Sequence, residues 1–142
     1  MNRVLRSVAA VLGGIVLSGL VVLVVESIGH TIYPPPPDID LEDPIAMATF
    51  MAQLPVGALV FVLLAWVAGP VAGGYLAARI APYGPVLHAL VVGALATAAD
   101  ATNILSFPHP TWLAVLGLLL PVPAAYLGAR LTGRSSRLSL EA

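Results

Sequence analysis

Long apolar runs constrain the fold of this chain more than any other feature. The first extends from Val8 to Val25, 18 residues in which Ser18 is the only polar side chain. A helix needs about 20 predominantly apolar residues to cross a bilayer. The composition extends this pattern to the whole chain, since only 9% of its 142 residues are charged, against about 25% in a soluble domain. We therefore predict an all-α integral membrane protein with a single transmembrane domain over residues 1–142.

Prolines and turn residues divide the chain into four predicted spans, at about residues 6–31, 55–79, 85–106 and 111–131. An unbroken helix from Pro44 to Arg79 would be about 54 Å long, well beyond a hydrocarbon core of about 30 Å. Pro55 has no amide hydrogen for the helix ladder, so we expect a kink there. Residues 44–54 then form an interfacial helix ahead of the second span, and the fold is a four-helix bundle.

The first apolar run also has features of a cleaved signal peptide, because it follows a basic start. It is longer than a typical signal core, and no small-residue cleavage site follows Glu26. We interpret it as an uncleaved span. The next segment, residues 33–43, contains four consecutive prolines and four acids. Such a segment cannot continue a helix and belongs in water.

The arginines predict the orientation in the membrane. With four spans, all six lie on one side, while the acidic loop 33–43 lies on the other. Cytoplasmic segments are enriched in basic residues. We therefore predict a multi-pass protein of the cell inner (plasma) membrane with both termini cytoplasmic. The arginines are Arg3, Arg6, Arg79, Arg130, Arg134 and Arg137.

Residues 70–79 and 121–130 resemble each other, with Pro, Val, Tyr, Leu, Ala and Arg in the same places 51 positions apart. The first and third spans match more weakly, at an offset of 74. This pattern predicts two repeated helical hairpins related by an axis along the membrane normal. Chance remains the alternative, because a chain rich in Ala, Leu and Gly readily matches itself. The weaker matches are Gly19 with Gly93, Glu26 with Asp100, and Pro36 with Pro110.

Two acids inside the apolar runs mark the candidate site. Glu26 and Asp100 both lie near the non-cytoplasmic ends of their spans, where a carboxylate is costly and usually functional. His30 follows Glu26 by one helical turn, and Asn103 follows Asp100. With His109 in the next turn, these five residues are predicted to converge as a polar or ion site.

Three interpretations of this site remain open. Glu26 and His30 can supply two ligands of a divalent metal from one helix face, although no further His motif supports a metal centre. The two acids can form a proton- or cation-coupled site, because burial favours the neutral form of a carboxyl group. The structural interpretation is that hydrogen-bonded acids hold the two hairpins in register.

Small residues predict close helix packing, with Gly69, Gly73 and Gly74 as the main candidates. They suit either the bundle itself or a partner helix, so a homo-oligomer or a larger membrane complex is a candidate assembly. No nucleotide-binding, nucleophile or cofactor motif occurs, which predicts a protein that is not an enzyme and holds no cofactor. No basic face suits nucleic acid, so the lipid bilayer is the main predicted partner.

The run from Gly73 to Arg79, then His88-Ala89, Asn103 and the segment from Pro108 to Trp112, resembles a group of small, uncharacterised four-span bacterial membrane proteins. The resemblance implies a fold class and a bacterial inner membrane, with no activity attached. Small multidrug transporters also have four spans and a Glu in the first, but they differ in the outer loop and the second acid.

Two functions follow as hypotheses. The first is a non-enzymatic accessory or scaffold module, or one that associates with itself. The second is a small proton- or cation-coupled transporter or channel that uses Glu26 and Asp100.

Overall fold

The computed structural model describes residues 2–37, 39–40 and 43–133. Within these ranges the chain is helical with connecting loops and contains no strand, which confirms the all-α prediction. The helices are α1 (Arg3–Ile32), α2 (Pro44–Gln53), α3 (Val56–Ile80), α4 (Pro85–Ser106), α5 (Thr111–Leu119) and α6 (Pro121–Leu131).

Four stretches of the described chain are long and apolar enough to cross a membrane. They are α1, α3, α4 and the combined stretch of α5 and α6, Thr111–Leu131. This agrees with the prediction of four spans in a multi-pass membrane protein. The last stretch is interrupted at Leu120, since Pro121 and Pro123 cannot donate to the helix ladder.

The break between α2 and α3 has the cause that the sequence indicates. Asp43 caps α2 by accepting a hydrogen bond from the Ile45 amide at 2.9 Å. Leu54 then leaves the helix with an extended backbone (φ −60°, ψ 130°), and Pro55 precedes the first residue of α3. The expected kink at Pro55 is thus a complete break, because the extended backbone at Leu54 separates α2 from α3.

The bundle has two distinct ends. At the arginine end, where α1 and α4 begin and α3 and α6 finish, Arg6 Nε donates a 2.8 Å hydrogen bond to the carbonyl oxygen of Ile80. That carbonyl belongs to the last turn of α3, where a positive charge is favourable. The opposite end carries α2 and the turn between α4 and α5, and we call it the loop end. Arg134, Arg137, Asp38 and Glu42, which entered the orientation argument, lie outside the described residues.

Helices approach each other backbone to backbone in the arginine half. A Cβ on Gly14 would come within 2.8 Å of the Gly73 carbonyl oxygen, and a Cβ on Gly74 would overlap the backbone of Ala125. Gly128 lies equally close to the backbone of Val71. The small residues therefore allow direct contact between helix backbones in this half of the bundle.

The two similar stretches share local geometry. The Arg79 guanidinium lies 5.8 Å from the Tyr75 ring centre, and Arg130 lies 5.9 Å from that of Tyr126. Within the described residues, however, α3 packs on α4 whereas α6 has no comparable interface with α1. The similarity between the two stretches is thus local, and a duplication of the hairpins remains a hypothesis.

Candidate functional site

A buried aromatic residue lies at the centre of the loop half. Trp66 of α3 is only 3% exposed and packs with Leu59 and with Leu113 of α5. Four residues later, Pro70 leaves the Trp66 carbonyl without its usual amide partner. Trp66 borders two cavities, one above it toward the loop end and one beside it between α1 and α4.

The loop-end cavity has a volume of about 630 Å³ and lies between α1, α2, α3 and the turn that joins α4 to α5. Its walls are mainly aliphatic and aromatic, and α2 contributes one side. The apolar residues along it include Tyr33, Met47, Phe50, Met51, Leu54, Ala58, Phe61, Val62, Trp66 and Phe107.

Four of the five predicted site residues line the loop-end cavity: Glu26, His30, Asn103 and His109. His30 is close enough to Glu26 to interact with it electrostatically. His109 Nδ1 donates to the carbonyl oxygen of Phe107 over 2.8 Å, which leaves Nε2 as an acceptor in the neutral ring.

Asp100 lies in the second cavity, which we call the mid-bundle cavity. This space of about 270 Å³ is enclosed by α1, α3 and α4, and it shares Glu26, Trp66 and Asn103 with the loop-end cavity. Asp100 Oδ2 is buried and accepts no hydrogen bond within the described part of the chain. Its electrostatic neighbour is Glu26, an acid like itself.

The five predicted residues are therefore divided between two adjoining cavities, with Glu26 and Asn103 common to both. Among the described residues, no group of three or more His, Cys, Asp and Glu side chains is arranged to hold a metal ion. The metal interpretation finds no support in this geometry. If the acids were hydrogen-bonded structural groups, Asp100 Oδ2 would need a donor, and none of the described residues supplies one.

Sequence reasoning missed the contribution of α2 and of Trp66. The signal for α2 was present, because Met47, Phe50, Met51 and Leu54 follow the i, i+3, i+4, i+7 spacing of one helix face. Trp66 carried only an indirect signal, its position one turn before Pro70. Nothing local distinguishes it from the other large residues of α3.

The three predicted packing glycines are buried inside the bundle. Gly69 lies against Ser18 and Val22 of α1, and Gly73 lies against Gly14 and Ser18. Gly74 faces α6 instead. The packing surfaces of these glycines are thus used between helices of this chain, so they carry no argument for a partner helix.

No family model, curated protein or solved structure matches this chain.

Proposed function

We propose that this protein is a non-enzymatic accessory module of the cell inner membrane that binds an apolar small molecule in its loop-end cavity. The observation that carries the proposal is the cavity itself. A volume of about 630 Å³ lies within the range of about 300–1,000 Å³ typical of small-molecule sites. Those sites combine apolar and aromatic walls with a few polar groups, as this one does.

Direct helix contacts in the arginine half favour binding over conduction. Contacts such as Gly14 with Gly73 and Gly74 with Ala125 bring helix backbones together there. A third space of about 380 Å³ lies at the arginine end along α1, Tyr83 and α4, and it shares no lining residue with the loop-end and mid-bundle cavities. A continuous pore would require these helix backbones to separate. A site that opens toward one side is the arrangement expected of a receptor or carrier subunit.

The membrane orientation is part of the proposal. Arg3, Arg6, Arg79 and Arg130 lie at the arginine end of the described chain, and basic residues favour the cytoplasmic side. Both termini are then cytoplasmic, and the loop-end cavity faces the exterior. The sequence resemblance supports a bacterial inner membrane as the location.

Fluorescence of Trp66 tests the binding proposal, because this side chain borders both cavities. The chain has two tryptophans, so Trp112→Phe leaves Trp66 as the sole reporter. The purified variant in lipid nanodiscs is titrated with 1,3,5-tribromobenzene, a neutral heavy-atom quencher. We expect the quenching of Trp66 fluorescence to saturate as the concentration of tribromobenzene rises.

Two further variants separate binding from partition into lipid. Ala58→Phe fills part of the loop-end cavity and should remove the saturable component. Ala94→Phe makes the same change at an exposed position of α4 outside both cavities and should retain it. Quenching that rises linearly and equally in all three proteins would contradict the proposal.

A second candidate function is proton- or cation-coupled transport through Glu26 and Asp100. The observation in its favour is the buried Oδ2 of Asp100, which has no partner among the described residues and borders a cavity shared with Glu26. Intramembrane acids of this kind often form relays. Proton or cation flux into proteoliposomes that is unchanged by both Glu26→Gln and Asp100→Asn would exclude it.

A further inference from the structure

The charge distribution around the two cavities points to a ligand class. We propose that the site takes an organic cation with an apolar body, the body in the loop-end cavity and the positive charge directed toward Glu26 and Asp100. This assignment rests on the proposed function, since it concerns the same cavity.

The acids and the arginines lie in different parts of the described chain. Glu26 borders both cavities and Asp100 borders the mid-bundle one, whereas none of the described arginines lines either. The arginines of the described chain lie at the opposite end, where Arg6 bonds the last turn of α3. Among the residues that the structure describes, His30 and His109 are the only basic side chains along the loop-end cavity. His30 interacts electrostatically with Glu26, and the Nδ1–H of His109 donates to the carbonyl oxygen of Phe107. Among the described residues, the deep part of the site therefore offers two carboxyl groups and the Asn103 amide, and no arginine.

Of the two acids, Glu26 has His30 as an electrostatic neighbour, whereas the charged neighbour of Asp100 is another acid. Asp100 Oδ2 is buried without a hydrogen-bond donor in the described chain, and Glu26 is its electrostatic neighbour. A buried carboxylate is costly unless it is paired. A ligand ammonium between the two carboxyl groups would supply a charge-assisted donor and reduce their mutual repulsion.

The walls of the site complement the rest of such a molecule. Trp66 lies at the junction of the two cavities, and Tyr33 and Phe61 lie edge to face with ring centres 6.3 Å apart on the loop-end side. Aromatic faces attract organic cations and also cover apolar groups. A body held against these rings would leave its charged end facing the mid-bundle cavity.

Three ligands with one body and different charges test the assignment. In the Trp112→Phe protein, 1-adamantanemethylamine, 1-adamantanemethanol and 1-adamantanecarboxylate compete with tribromobenzene, and recovery of Trp66 emission reports displacement. We expect the amine to displace the quencher at a concentration at least about tenfold lower than the alcohol, as a charged hydrogen bond implies. The carboxylate should be the weakest competitor.

Charge-neutralising variants identify the groups that cause the preference for the amine over the alcohol. Glu26→Gln and Asp100→Asn should each lower the affinity for the amine toward the affinity for the alcohol. The affinity for the alcohol should not change. Asp40→Asn removes an acid from the loop outside both cavities and should change the affinity for neither the amine nor the alcohol. If a site variant does not fold, the amine-to-alcohol ratio in the parent protein decides alone.

The possible outcomes distinguish the two proposals. Equal displacement by all three ligands would overturn the cation assignment and leave an apolar binding site in place. Absence of saturable quenching in the parent protein would overturn both. A preference for the amine that survives both site substitutions would also overturn the role of the acids.

Discussion

At the residue scale, Asp100 is the side chain that the fold explains least. Its Oδ2 is buried, no hydrogen bond reaches it from the described chain, and the charge beside it is that of Glu26. A carboxyl group that held helices together would need a donor on a neighbouring helix. Under the proposed function, Asp100 is a group kept for binding at a cost in stability.

The first prediction separates a structural role of the Asp100 carboxyl group from a role in ligand binding. We expect Asp100→Leu to stabilise the ligand-free protein by about 1–3 kcal/mol, because it removes a buried polar atom without a partner. The control is Thr97→Val, whose hydroxyl already bonds the Gly93 carbonyl oxygen of its own helix at 3.1 Å, and it should change stability little. Unfolding in mixed micelles with increasing denaturing detergent measures both. A less stable Asp100→Leu protein would indicate a structural role for the carboxyl group.

At the element scale, α3 is the helix on which the others assemble. One face meets α1 through Gly69 and Gly73, and another meets α6 through Gly74. Large side chains at these positions would hold the backbones apart. The close approach brings the backbones of α1 and α6 directly against α3 in the arginine half of the bundle.

The second prediction tests this packing with two glycines of similar helical setting. Gly74→Ala should destabilise the protein by about 1–3 kcal/mol, the usual cost of overpacking, because the new Cβ meets the backbone of Ala125. Gly19→Ala is the matched control, since a Cβ there meets nothing within 4 Å. It should be neutral or slightly stabilising, because Ala favours helix more than Gly does. The same detergent unfolding assay compares them, and equal effects would contradict the packing described here.

Helix α2 belongs to the site through one face only. Met47 and Met51 line the loop-end cavity, whereas Ala48 and Ala52 are exposed. The native chain contains no cysteine, so a single introduced thiol reports the exposure of its position without interference.

The third prediction follows from these two faces. Ala48→Cys should react with a water-soluble maleimide several-fold faster than Met51→Cys, and cavity ligands should slow Met51→Cys further while leaving Ala48→Cys unchanged. The rate of mass increase on intact protein measures both reactions. Equal rates without ligand would mean that α2 does not lie over the cavity in solution.

At the scale of the whole molecule, apolar runs and prolines were enough to predict four spans. Pro55 separates α2 from α3, and the pair Pro121 and Pro123 accounts for the interruption at Leu120. These are local effects, in which one residue determines the backbone within a single turn. They could be inferred without knowing which helices touch.

The lateral arrangement and the cavities could not be inferred in this way. Gly14, Gly73, Gly74 and Gly128 are suited to several helix pairs, and only the assembled bundle selects among them. The loop-end cavity is bordered by α1, α2, α3 and the turn that joins α4 to α5, so it depends on segments that are distant in the sequence. The predicted site consequently contained the polar residues but not Trp66, which joins the two cavities.

The fourth prediction concerns the orientation of the protein in the membrane, which determines the side that the loop-end cavity faces. Pro35→Cys lies along the loop-end cavity and Tyr83→Cys lies in the turn at the arginine end, and both positions are exposed. With a membrane-impermeant maleimide on intact spheroplasts, we expect only Pro35→Cys to be labelled, and Tyr83→Cys to react after permeabilisation. The reason is the arginine distribution, which favours a cytoplasmic arginine end. The reverse pattern would turn the cavity toward the cytoplasm, and labelling of both would indicate two orientations. If only Pro35→Cys is labelled, the molecule bound in the cavity must reach the protein from outside the cell or through the outer leaflet.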